Sequence, residues 1–247
     1  MKISKQTLLA LLALTLAGCS PNLSTESLTK RQATQTYQSA MGHIKTNQYA
    51  LAIDELETVQ LNYPQYAEYD HILYHLADLQ FKLGRYIDSK DNAREYLISN
   101  PQSKYSEHMA YVEGMSLYHE KDNWVAELFL SPRHLRDNSE LLMAKDKLNA
   151  FIAHYPKSKY RVEVNKAMVS VADQLARGEI EVANYNLNHK AYLGAIMRAE
   201  KVIKLYPKTN SAKEAYAIID QSYKKLNLKS EHAELKKKLK AFNHEQA

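Results

Sequence analysis

The one thiol in the chain, Cys19, follows Leu16-Ala17-Gly18. That ending resembles a lipobox, in which the cysteine becomes the acylated first residue of the mature protein. Upstream stand Lys2 and Lys5 and then an apolar run over residues 8–17. This is the layout of a secretion signal with small residues at its cut site. The run is too short to cross the roughly 30 Å of a bilayer core. The expectation is a leader over 1–18, a lipid anchor on Cys19 and a polar tether over 19–31. Acyl chains contribute about 0.8 kcal/mol per buried methylene, so the anchor is effectively permanent. Ser20, where an aspartate would retain the protein at the inner membrane, sorts it to the outer membrane, on the periplasmic face.

Other reactive groups are sparse. His71 and His75 stand four apart on an expected helix, a spacing at which two imidazoles share a metal ion. No carboxylate lies between them and no third ligand is nominated, so they read as surface or packing histidines. The pair Asp54-Glu55 reads as solvated charge. No two glycines are close enough to cradle a phosphate, and no Gly-x-Ser-x-Gly elbow or catalytic thiol occurs. The expectation is no enzyme, no metal and no cofactor beyond the lipid. The formal charge of +5 suits acidic protein surfaces or anionic headgroups. Secretion argues against a nucleic-acid partner.

The elements that would carry a binding surface are helical. Six glycines and six prolines are too few for the turns of a sandwich or barrel. Four segments end in a Tyr-Pro or Asn-Pro pair: Tyr63-Pro64, Asn100-Pro101, Tyr155-Pro156 and Tyr206-Pro207. Fifteen residues before each proline stand Tyr49, Tyr86, Leu141 and Tyr192; twelve before, Ala52, Ser89, Ala144 and Ala195. Eight before come Leu56, Ala93, Leu148 and Ala199; five before, Val59, Tyr96, Phe151 and Val202. Offsets of three, four and seven put these on one helical face. Proline then stops the helix. A partner helix precedes each segment, with Ala40, Ala77 and Gly114 spaced 37 apart at the expected close approach. Helix, turn, helix and terminal proline look like the tetratricopeptide repeat (TPR). The predicted fold is all-α, a right-handed α-solenoid of about five such hairpins. Units one to three occupy 32–156, with an insertion at 121–138; units four and five occupy 157–247. The last unit lacks the closing proline, as suits a cap. A 51-residue proline spacing, with only Gly178 as a possible break between Ser158 and Asn188, predicts one helix of about 29 residues, roughly 43 Å long.

The insertion carries Trp124, Phe129, Arg133, Arg136 and Asp137, aromatic and charged residues that either make a contact or fold back over the repeats. Eighteen tyrosines stand against four phenylalanines. Most fall on packing positions, whereas Tyr66, Tyr74, Tyr105 and Tyr111 do not and are candidates for a peptide groove. The lysines from Lys224 to Lys240 read as a solvated face.

Lipobox, five TPR-like units, a lengthened third unit and a long helix opening the fourth together resemble the BamD family, lipoproteins of the outer-membrane β-barrel assembly machinery. The matching residues include Tyr63-Pro64, Asn100-Pro101, Glu113-Gly114-Met115, Phe129, Arg133, Arg136-Asp137, Tyr155-Pro156-Lys157-Ser158-Lys159-Tyr160 and Arg198. Asn138, Pro132 and the stretch Gln65-Tyr66-Ala67-Glu68 depart from the family pattern. The resemblance implies a non-enzymatic scaffold. Its C-terminal units would dock a POTRA domain of a BamA-like barrel protein, with other Bam lipoproteins nearby. Its N-terminal units would receive unfolded outer membrane protein substrates. Arg198 is the expected BamA contact, and Tyr63, Tyr66 and Tyr74 the expected groove. The alternative is a pilotin-type TPR lipoprotein for type IV pilus or secretin assembly, which a regular 34-residue spacing would favour.

Overall fold

The computed structural model describes residues 25–120 and 138–245. The leader, Cys19 and the insertion residues Trp124, Phe129, Arg133, Arg136 and Asp137 lie outside them. The described residues are helices joined by short turns, with no strand among them. In chain order the helices are α1 (Thr25–Lys45), α2 (Tyr49–Asn62), α3 (Tyr69–Lys82), α4 (Tyr86–Ser99) and α5 (Ser106–His119). Then follow α6 (Ser139–His154), α7 (Arg161–Asn188), α8 (Tyr192–Leu205), α9 (Asn210–Leu226) and α10 (Lys229–Glu245). The long helix opening the fourth unit, α7, runs 28 residues without interruption at Gly178. None of these helices is long and apolar enough to cross a membrane.

The repeat pattern translates directly into packing. Every residue at the three inner offsets, from Ala52 to Val202, is buried, and Tyr49, Tyr86 and Tyr192 open their helices. The residue before each proline caps its helix in the same way. Tyr63, Asn100, Tyr155 and Tyr206 all have φ between −134° and −121° and ψ between 47° and 60°. Their N–H groups donate to Val59, Tyr96, Phe151 and Val202. Proline disfavours helical torsions in its predecessor, so the stop is built into the pair.

The opposite turn, inside the first, second, fourth and fifth hairpins, is made by a residue with positive φ: Asn47 at 58°, Gly84 at 75°, Lys190 at 62° and Asn227 at 55°. Glycine and asparagine take this conformation readily, whereas a lysine is strained there. Asn47 gains a local partner, its side chain accepting from the Tyr49 hydroxyl at 2.6 Å.

Two compact units divide between Ile72 and Leu73. In the first, α1 packs on α2, with Ala40, Ala52, Ile53 and Leu56 buried. In the second, each helix from α4 onward packs on its chain neighbour, and α7 also reaches α5 and α9. The α3–α4 contact is polar at its centre: Ser89 donates to the Ala77 carbonyl at 2.8 Å and Asn92 to Gln80 at 2.8 Å. Residues 111–117 of α5 are all buried, so this helix is enclosed on every side. Gly114 permits that enclosure, because a Cβ there would lie 2.8 Å from Leu148 Cδ2 on α6.

Three expectations change. The tether expected to reach residue 31 ends by Thr25, where α1 begins, and Ala33 is already buried. The boundary expected at 156/157 is bridged, because Tyr160 hydrogen-bonds His108 and stacks on Tyr111; the compact division falls instead at 72/73. Glu55 is not simply solvated, since its Oε1 accepts from Ser39 at 2.8 Å and lies 3.7 Å from His43.

Candidate functional site

The second unit carries a row of half-buried aromatic rings. Two of them arise from one local sequence used twice, Pro101-Gln102-Ser103-Lys104-Tyr105 and Pro156-Lys157-Ser158-Lys159-Tyr160. After each proline the serine Oγ accepts from the tyrosine N–H, at 3.2 Å for Tyr105 and 3.0 Å for Tyr160. That turn starts α5 and α7 and leaves the tyrosine ring at the helix entrance. In both copies the preceding lysine lies over the ring, Lys104 at 4.8 Å and Lys159 at 4.9 Å from the centroid. Each is a cation–π pair of about 0.5–1 kcal/mol at an exposed site.

Tyr74 of α3 joins the row with its ring centroid 4.5 Å from Tyr105. Tyr160 stacks on Tyr111 at 4.1 Å and 15°. His108 sits between these pairs, 6.0 Å from Tyr74 and 5.5 Å from Tyr160. Its Nε2 lies 2.8 Å from Asp78 Oδ1, and its Nδ1 lies 2.8 Å from the Tyr160 hydroxyl. A carboxylate only accepts, so Nε2 carries a proton, and in the neutral ring Nδ1 accepts from Tyr160. Lys82 adds a 2.7 Å bond to Asp78. Burial alone would raise the Asp78 carboxyl, but the bonds from His108 and Lys82 outweigh it and hold it below the usual aspartate value. Burial raises the Tyr74 phenol, and the Asp78 charge adds to this. Burial raises the Tyr111 phenol further, joined by a hydrogen bond to the Glu163 carboxylate.

This chain of bonds fixes α3, α5 and the start of α7 relative to one another. It holds an aromatic surface flanked by cations, the arrangement that accepts an aromatic side chain near a carboxylate. Behind it, Glu113 is buried, with Oε1 held by Arg94 at 3.0 Å and Lys147 at 2.8 Å.

Of the tyrosines expected to form a groove, Tyr74 belongs to this row. Tyr66 packs instead on Tyr37, 5.7 Å away in the first unit, and Tyr63 caps α2. Tyr111, expected in the groove, is a core residue only 6% exposed. The doubled Ser-Lys-Tyr after two of the prolines is the signal that would have found Tyr105 and Tyr160 as equivalents. His108 and Asp78 carry no sequence signal, because their partners lie 30 and 52 residues away. His71 faces Glu68 at 3.1 Å, and no metal-ligating cluster occurs among the described residues.

Arg198 lies on α8. Its Nη1 bonds Glu179 Oε2 of α7 at 3.0 Å, and Lys201 pairs with the same carboxylate. Burial would raise Glu179, but the hydrogen bonds from Lys201 and Arg198 hold it below its usual value. The Arg198 side chain remains 46% exposed, and Leu193 and Met197 stand exposed on the same helix. This is a cationic surface with an apolar neighbour, held in place by a partly buried carboxylate.

Residues 29–239 match the model of the YfiO family, described as an outer membrane lipoprotein. A relative from Pasteurella multocida named outer membrane protein assembly factor BamD is 24% identical over 92% of this chain and 86% of its own length. One of the same name from Vibrio cholerae is 26% identical over 90% and 92%. The solved structure of MamA from AMB-1 is similar at a TM-score of 0.36 and 15% identity, covering 86% of this chain and 92% of that one.

Proposed function

Because the chain belongs to the YfiO family of outer membrane lipoproteins, we propose that it is a scaffold subunit of an outer membrane protein assembly complex. The observation that carries this reading is the family match, which spans the helical hairpins from α1 into α10. In this reading the chain is held to the periplasmic face by lipid on Cys19 and performs no catalysis.

Two surfaces divide the work. The α8 face, with Arg198 and Lys201 beside Leu193 and Met197, docks the POTRA region of a BamA-like barrel protein. An arginine fork pairs bidentately with a carboxylate, and the exposed apolar pair supplies contact area. The aromatic row of Tyr74, Tyr105 and Tyr160, with Lys104 and Lys159, receives unfolded barrel substrates. Its rings take an aromatic residue and its lysines the nearby negative charge. Other Bam lipoproteins bind elsewhere on the same scaffold.

Affinity purification of the tagged full-length protein from membranes in mild detergent tests both levels. Recovery of a large barrel protein with POTRA domains is expected, and its absence refutes the reading. Arg198→Asp should reduce that recovery about tenfold or more, as removal of one partner of a desolvated charge pair does. Unchanged recovery with Arg198→Asp refutes the docking assignment alone.

A further inference from the structure

Helices α8, α9 and α10 leave a cavity of about 190 Å³ between them. Its floor is apolar, made by Ile203, Tyr216, Ile219 and Leu235, and Tyr223 forms a wall. The charged lining is three carboxylates, Glu200, Glu231 and Glu234, and two lysines, Lys204 and Lys238. Burial raises the Tyr223 phenol first, and Glu200 and Glu231 add to that while Lys238 opposes it. The field of carboxylates from two different helices therefore reaches the aromatic wall.

The volume is below the roughly 300–1,000 Å³ typical of small-molecule sites, so it suits one long side chain. Charge and shape select which one. An aliphatic stem would lie on Ile203 and Leu235, a flat cation over Tyr223, and a forked donor against Glu200 and Glu231. We propose that this cavity receives the side chain of an arginine presented by a partner polypeptide. Guanidinium combines planarity, weak hydration and paired donors, which an ammonium lacks. Within the chain, Lys238 occupies the rim by bonding Glu234 at 2.8 Å, with both side chains about two-thirds exposed. Such a pair contributes little and yields readily to a better-fitting cation.

The site is distinct from the α8 docking face. Arg198 pairs with Glu179 of α7, whereas Glu200 faces α9 and α10. Titrating Nα-acetyl-arginine amide into the mature protein, followed by NMR at Tyr223 and Leu235, tests the proposal. Saturable shifts confined to α8, α9 and α10 are expected. Nα-acetyl-citrulline amide, neutral and nearly the same shape, should bind at least tenfold more weakly, and so should arginine amide to the Glu200→Gln/Glu231→Gln chain. Arg198→Asp should leave the titration unchanged, which separates this site from the proposed docking face. No saturable shift, an equal response to citrulline, or full binding by the double variant would overturn it. The citrulline comparison uses the natural chain and needs no variant to fold.

Discussion

Gly114 is the position at which the packing of the second unit can be broken by adding atoms. A Cβ there would approach Leu148 Cδ2 to 2.8 Å and Cγ to 3.4 Å. The first distance is about 1 Å inside ordinary carbon contact. Leu148 has no exposed surface, so it cannot swing into solvent to escape. Gly114→Val adds that Cβ and two more carbons. Overpacking a close-packed core costs about 1–3 kcal/mol, and better helix propensity returns a few tenths. The expected net loss is about 2 kcal/mol, or about 4–8 °C in Tm for a chain of this size. Leu148→Ala alone should cost about 3 kcal/mol through the cavity it leaves. Combined, the two changes compensate, because the valine enters the space that the leucine vacates. The double variant should therefore lose about 3 kcal/mol rather than about 5, a coupling well above the few tenths found for independent sites. Thermal and urea unfolding followed by circular dichroism at 222 nm reads all four proteins. Wild-type stability for Gly114→Val, or strict additivity in the cycle, would show that α5 and α6 do not meet as described.

Three further outcomes follow from particular residues. Lys190 turns the fourth hairpin at φ 62°, so Lys190→Gly should stabilise the protein by about 0.5–1 kcal/mol in urea unfolding. Asp78 is held below its ordinary value of 3.8 in the folded state. Its contribution is therefore complete above that value and is lost as pH falls through the lowered folded one. Asp78→Asn should thus destabilise by about 1–3 kcal/mol at pH 7, and the gap to wild type should close as pH falls through that lowered value; a constant gap would contradict the network. Cys19→Ser should move the protein from the membrane to the soluble periplasmic fraction, which cell fractionation with immunoblotting reads directly.

The helical hairpins were legible in the sequence because their determinants are local and repeated. Val59, Tyr96, Phe151 and Val202 recur at a fixed distance from proline, and both the buried face and the helix stop follow from that spacing. Gly114 was legible for the same reason, since a small residue at the crossing recurs with Ala40 and Ala77. The aromatic row was legible only in part. Tyr105 and Tyr160 repeat in a shared Ser-Lys-Tyr setting, but His108 finds Asp78 and Tyr160 only after three helices have packed. Tyr111 misled because its spacing treats α5 as one-sided, whereas α5 is enclosed. Lys190 gave no warning of a left-handed turn, because nothing in a lysine favours one. The start of α1 at Thr25 was missed because a polar helix start and a polar tether have the same composition.

Depletion of the protein in growing cells, with the abundance of several unrelated outer membrane barrel proteins measured by quantitative mass spectrometry, reaches the proposed role most directly. An assembly scaffold predicts that all of them fall together while inner-membrane proteins hold steady. Unchanged barrel proteins, or loss confined to a pilus secretin, would contradict it.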